Sequence, residues 1–234
     1  MAFERIAGRG WLALIGGGEF SFGETEAADA EWLERAGAGA LGFVPAASGS
    51  EDYGRHLAVY FDELFERRLE VVPIYRGRDA RRGRNAERLG EVEHVYLGGG
   101  VTDHLVETVA DTPALAALEA RLEAGGTVVA IAGAAQGLGV VYRSLFGGKI
   151  QPGLGWLPGG AVETNFDPEH DRRLRQLAGA DGVSWAVGIA AGSALLLGPD
   201  GQVETIGDVW WLESPQGEPK PLRPQPALPD DAPS

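Results

Sequence analysis

Cysteine is absent from the 234 residues of this chain. Its absence excludes a disulfide framework, a thiol nucleophile and a thiolate metal site together. Positive charge is scarce as well, with 20 Lys and Arg against 34 Asp and Glu and a formal net charge of −14. Such a balance repels the phosphates of nucleic acid, so no nucleic-acid partner is expected. No apolar run approaches the ~20 residues of a membrane span. The opening Met1-Ala2-Phe3-Glu4-Arg5 lacks the charged-then-apolar order of a signal peptide. The expectation is a cytoplasmic protein with no membrane partner. The four histidines, His56, His94, His104 and His170, form no H-x-x-H or H-E-x-x-H spacing, and neither a P-loop nor a G-x-G-x-x-G fingerprint occurs. No metal and no cofactor are expected.

What is present is a rhythm of short apolar segments that end in small residues and run into helical patterns. Trp11-Leu12-Ala13-Leu14-Ile15 ends in Gly16-Gly17-Gly18, Ala40-Leu41-Gly42-Phe43-Val44 in Pro45-Ala46-Ala47-Ser48-Gly49, and His94-Val95-Tyr96-Leu97 in Gly98-Gly99-Gly100. Residues 24–36, 56–68, 85–90, 102–109 and 113–124 have helical spacing, and residues 70–75 read as a further strand. Thr112 and Pro113 supply a cap and a first-turn proline. This alternation predicts an α/β fold with a mostly parallel sheet sandwiched by helices. After about Leu154 the segments shorten and take hairpin character, as around Gly198-Pro199-Asp200-Gly201. A single domain over residues 1–212 is expected, followed by a Pro-rich, disordered tail over 213–234. The run from Arg76 through Arg78, Arg81, Arg82 and Arg84 to Arg88 reads first as a solvated loop and helix start, and second as an anion-binding patch.

Parallel sheets place ligands outside the carboxyl ends of their strands. Residues 16–18, 46–50, 98–101 and 131–135 are therefore expected to converge on one crevice. Thr127-Val128-Val129-Ala130-Ile131 reads as a buried strand that runs into Ala132-Gly133-Ala134-Ala135, with Gln136-Gly137-Leu138-Gly139 opening a helix. That is the shape of a nucleophile elbow, a sharp turn that lifts one side chain above the sheet edge. The tip is expected at Ile131, which can neither attack a carbonyl nor carry a proton.

Taken in order, these pieces resemble the serine peptidases typified by cyanophycinase and dipeptidase E, which share the class I glutamine amidotransferase-like, flavodoxin-like fold. The resemblance spans residues 11–197. It rests on Ile15-Gly16-Gly17-Gly18-Glu19, Phe43-Val44-Pro45-Ala46-Ala47-Ser48-Gly49, Arg78-Asp79-Ala80, Tyr96-Leu97-Gly98-Gly99-Gly100 with Thr102, Ala132-Gly133-Ala134, and Gly153-Leu154-Gly155 with Leu157-Pro158. In that family the turn reads Ser-Ala-Gly-Ala, so the resemblance puts Ile131 where the nucleophile belongs. The general-base histidine falls on Asn165 within Glu163-Thr164-Asn165-Phe166, and two acids of a later segment fall on Ala190 and Ala191.

Nucleophile and base act as a unit, so the loss of both implies no covalent catalysis. The resemblance then implies a binding, regulatory or structural protein. Its pocket would be lined by Gly99, Gly100, Val101, Thr102, Ile131, Ala132, Glu163 and Asn165. Backbone N–H groups near Gly99 and Gly100 and at Ala132 are expected to receive a carbonyl or carboxylate oxygen. The expected ligand is a small molecule or peptide, neutral or partly apolar, and a homodimer is a further expectation. The alternative is an active peptidase or amidase with a relocated serine, Ser48 or Ser193 ahead of Ser144, and His104 or His170 as its base.

Overall fold

The apolar segments form strands whose alternate residues face opposite layers, and helices fill the gaps between them. The computed structural model describes residues 3–223. In chain order these are β1 (Leu12–Ile15), α1 (Glu26–Ala36), β2 (Leu41–Val44), α2 (Glu51–Phe65), β3 (Leu69–Val71), α3 (Gly77–Ala80), α4 (Gly83–Glu91), β4 (His94–Leu97), α5 (Thr102–Val109) and α6 (Pro113–Glu123). They continue as β5 (Val128–Ile131), α7 (Gly133–Gly137), β6 (Val141–Arg143), β7 (Ile150–Pro152), β8 (Gly160–Thr164), α8 (Arg172–Ala178), β9 (Trp185–Ile189), β10 (Ala194–Leu197), β11 (Val203–Ile206), β12 (Val209–Leu212) and β13 (Lys220–Pro221).

Seven strands form the main sheet in the order β11-β10-β1-β5-β4-β2-β3. The five from β1 to β3 run parallel, and β10 and β11 complete one edge antiparallel. The expected α/β fold with a mostly parallel sheet is what the chain adopts. Period-two alternation divides the core. Leu12 and Leu14, Val95 and Leu97, and Val128 and Ala130 pack with Leu105, Val109, Leu118 and Leu122 on one face. Ala13 and Ile15, Tyr96, and Val129 and Ile131 pack with Trp32, Leu57 and Phe61 of α1 and α2 on the other. Capping matches the sequence: the Thr112 hydroxyl accepts from the Leu115 N–H at 3.4 Å, and Pro113 occupies the first turn of α6.

Three boundaries depart from expectation. The strand expected over 70–75 is only the three residues of β3. Pro73 has no N–H to continue the ladder, and the Val72 N–H makes the last bond, to the Phe43 carbonyl. The hairpin character expected after Leu154 is met by β10–β11 around residues 198–201 and by the antiparallel pairing of β12 with β13, but it does not extend to every strand there. By contrast β8 and β9 are parallel, joined across α8, within a second sheet ordered β13-β12-β9-β8. Lastly, of the tail expected to be disordered, residues 220–221 pair with Trp210 and Trp211, and the Leu222 N–H donates to the Val209 carbonyl at 2.7 Å. Residues 224–234 lie outside the described residues.

Candidate functional site at the strand ends

The site is built by glycines that let loops approach one another. At the end of β1, a Cβ on Gly16 would strike the carbonyls of Ile189 and Ala190, and one on Gly17 would strike the Asn165 amide. The Asn165 N–H donates to the Gly16 carbonyl at 2.6 Å, and the Gly192 N–H to the Gly17 carbonyl at 2.9 Å. At the end of β4, a Cβ on Gly100 would run into the Ala47–Ser48 peptide. Gly133 lies directly against the Gly100 carbonyl. The Val101 N–H donates to the Ala47 carbonyl at 3.0 Å. The ends of β1, β2, β4, β5, β8 and β9 thus meet in one place.

At its centre is the strand-to-helix turn. Ala132 has φ 52° and ψ −121°, a strained conformation for a residue with a Cβ. It is the backbone setting that exposes the nucleophile in an elbow. The tip therefore falls on Ala132, not on Ile131 as the sequence match implied. Ile131 is still in the strand, in register with Ile15, and only 4% exposed within the layer of Trp32, Phe43 and Tyr96. Matching Ala-Gly-Ala by identity set the tip one residue early.

The expected oxygen-binding donors also change. The Ala132 N–H donates to the Ile15 carbonyl at 2.9 Å, and the Gly99 N–H to the Tyr53 hydroxyl at 3.3 Å. Burial pushes the Tyr53 hydroxyl up to about 12, so it stays protonated at neutral pH. The N–H groups of Gly100 and Gly133 have no acceptor among the described residues. They flank Ala132.

The other expected lining residues divide into two groups. Asn165, exposed and at φ 49°, stands beside Gly17 at the crevice. Thr102 is buried, and its hydroxyl donates to the Gln136 amide oxygen at 2.9 Å; the Gln136 amide nitrogen in turn donates to the Thr164 hydroxyl at 2.9 Å. Thr102 is therefore scaffold, clamping α5, α7 and β8 together. Glu163 is buried and faces α8, 3.7 Å from Arg173. Burial raises its carboxyl above the ordinary range, opposed by the charges of Arg173 and Arg143. Its partner is that arginine, away from the elbow. Gly17 and Ala47 fall within the ranges expected at the crevice, whereas sequence reasoning missed Tyr53 and Gln136. For Gln136 a signal was available in its spacing, four residues after Ala132, to whose carbonyl its own N–H donates at 3.1 Å.

The relocated serines are held by backbone. The Ser48 hydroxyl donates to the Pro45 carbonyl at 3.2 Å and accepts from the Ser50 N–H at 3.2 Å. That of Ser193 accepts from the Asp208 N–H at 2.9 Å, and that of Ser144 from the Phe146 N–H at 3.0 Å. His170 pairs with Asp167 at 2.7 Å on the surface, and exposed His104 lies beside the Phe146 ring. Among the described residues no serine hydroxyl hydrogen-bonds a histidine ring. No group of three metal-ligating side chains occurs among them, and no helix is long and apolar enough to cross a membrane.

This geometry can be set beside known proteins. The model of peptidase family S51 matches residues 12–147, more than half of the chain. No curated protein matches. Among solved structures, a peptidase from an acI-B1 Actinobacterium superposes with a TM-score of 0.72 at 19% identity, covering 91% of this chain and 93% of its own. A putative peptidase E protein from Listeria monocytogenes EGD-e gives 0.61 at 14% identity, covering 84% of this chain and 98% of its own. At such identities the likeness speaks for the fold, whereas the family match speaks for descent. The elbow, the glycine-lined strand ends and the matched segment together identify the chain as a member of peptidase family S51.

Proposed function

We propose that this family S51 member binds a neutral small molecule or short peptide at the elbow and does not cleave it. The observation that carries this reading is a methyl group, that of Ala132, standing where the elbow conformation presents a nucleophile. The free N–H groups of Gly100 and Gly133 suit a carbonyl oxygen resting over Ala132. Such donors act on charge that develops during acyl transfer, but without an attacking atom they can only hold the ligand. Asn165 supplies an amide in place of a base. It can donate and accept hydrogen bonds but cannot take up a proton at neutral pH.

The test is intact-mass measurement after incubation with a fluorophosphonate, which labels activated serines. The native chain should take no adduct, while short neutral peptides should raise its thermal midpoint. Under the same conditions Ala132→Ser with Asn165→His should gain slow, single-site labelling at residue 132. A stoichiometric adduct on the native chain would overturn the proposal in favour of a relocated serine, which peptide mapping would name.

A further inference from the structure

A cavity of about 680 Å³ lies between α5 and the β6–β7 hairpin. Its walls carry Asp103 and Glu107, four residues apart on one face of α5, and Asp111 just past the end of that helix. Opposite stand Tyr142, Ser144 and Phe146. Asp103 is tied down, accepting from the Leu145 N–H at 3.0 Å and the Tyr142 hydroxyl at 3.3 Å, and these bonds with Ser144 nearby outweigh its burial and keep it ionised. Glu107 is exposed. The hairpin turn raises Leu145 and Phe146 at the rim, 67% and 65% exposed, two of the large apolar side chains most open to solvent.

Directly beside this acidic groove is the one strongly basic segment of an acidic chain. Six of the 20 Lys and Arg lie between residues 76 and 88. α3 packs against α5, and Arg81 bridges the two features by donating to the Asp111 carbonyl at 3.3 Å. Arg76, Arg78, Arg81, Arg82 and Arg84 are exposed. Two of them share a single carboxylate, Asp79, at 3.8 Å for Arg78 and 3.2 Å for Arg82. The segment therefore carries more positive charge than its neighbours neutralise.

We propose that this surface is where a second copy of the chain docks, the arginine ridge of each protomer entering the acidic groove of the other. A two-fold interface must be self-complementary, with patch i on patch j and patch j on patch i. Adjacent groove and ridge of opposite sign meet that condition, and Leu145 and Phe146 supply apolar contact between them. At a net charge of −14, two copies repel over most of their surface, which leaves this region as the place where approach is favourable.

The experiment is sedimentation of the full chain at low and high salt. The native protein should be a dimer at low salt and dissociate as salt screens the contact. Arg81→Glu with Arg84→Glu, or Glu107→Arg alone, should each weaken dimerisation by about tenfold or more, with an unchanged circular dichroism spectrum. Combining all three changes in one chain restores opposite signs on both halves, so the dimer should return, as should a heterodimer on mixing the two variants. A misfolded variant would not be rescued in this way. A monomeric native chain at low salt, or reversals without effect, would overturn the proposal. Monomers that bind oligo-arginine, with binding lost in Glu107→Arg, would overturn it too and assign the groove to a basic partner.

Discussion

Asp29 is a fully buried carboxyl group in the first turn of α1. Its oxygens accept from the Trp32 indole N–H at 2.8 Å and the Tyr60 hydroxyl at 2.9 Å. Burial raises its pKa to about 6, and the bonds from Trp32, Thr25 and Tyr60 offset only part of that. Between pH 4 and 6 the folded chain therefore holds a proton that the unfolded chain has released, so the contribution of Asp29 to stability falls as pH rises through this window. The rise of roughly two pKa units corresponds to a penalty on the order of 3 kcal/mol at neutral pH. Comparing the native chain with Asp29→Asn by urea denaturation isolates the effect, because other titrating groups cancel. The native-minus-variant difference should fall from pH 4 to 7; a flat difference would refute the raised pKa. Ala132 shows a second residue-scale cost, a strained backbone of about 1–3 kcal/mol that the surrounding loops sustain.

At the scale of elements, the elbow is held by a helix of only five residues. α7 contributes little by its own hydrogen bonding, since a helix gains stability with length. Gln136 compensates by joining the buried hydroxyls of Thr102 and Thr164, and so locks α7 between α5 and β8. Replacing it with alanine leaves a buried donor and a buried acceptor without their partner. Gln136→Ala should cost about 1–3 kcal/mol, read as a lower urea midpoint with an unchanged slope. A variant within a few tenths of the native value would mean that water replaces the amide and that the clamp is dispensable. On the opposite edge of this layer, β3 ends early because Pro73 offers no donor, and its carbonyl is taken instead by the Asn85 amide at 3.3 Å.

At the scale of the whole molecule, the two larger sheets share one core. Leu12, Val95 and Val128 of the main sheet are in the same buried cluster as Val162, Val187 and Val209 of the second, with fully buried Trp156 among them. The N-terminal segment joins in, the Ile6 N–H donating to the Trp156 carbonyl at 2.8 Å. Because this cluster runs continuously through both sheets, both should unfold together. Far-ultraviolet circular dichroism and tryptophan fluorescence should give coincident urea transitions. Separated midpoints would show that the β8–β9–β12 layer melts as an independent unit.

The parallel sheet, the order of its helices and the glycine-rich strand ends were legible in the sequence because they follow from local pattern. Apolar runs of four or five residues must be buried, and Gly16, Gly98 and Gly100 mark where chains pass closely. The family resemblance was legible for the same reason, since its motifs are the glycine-rich strand ends themselves. Which residue forms the tip was not legible, because Ile131 and Ala132 differ by one step of a period-two strand. Only its register with β1 assigns Ile131 to the core and leaves Ala132 to make the turn. The direction faced by Glu163, the engagement of Ser193, and the meeting of the arginine ridge with the α5 groove likewise depend on contacts between separate segments of the chain. Local pattern determines which residues are buried; partners brought from elsewhere by the packed fold determine what each polar group does.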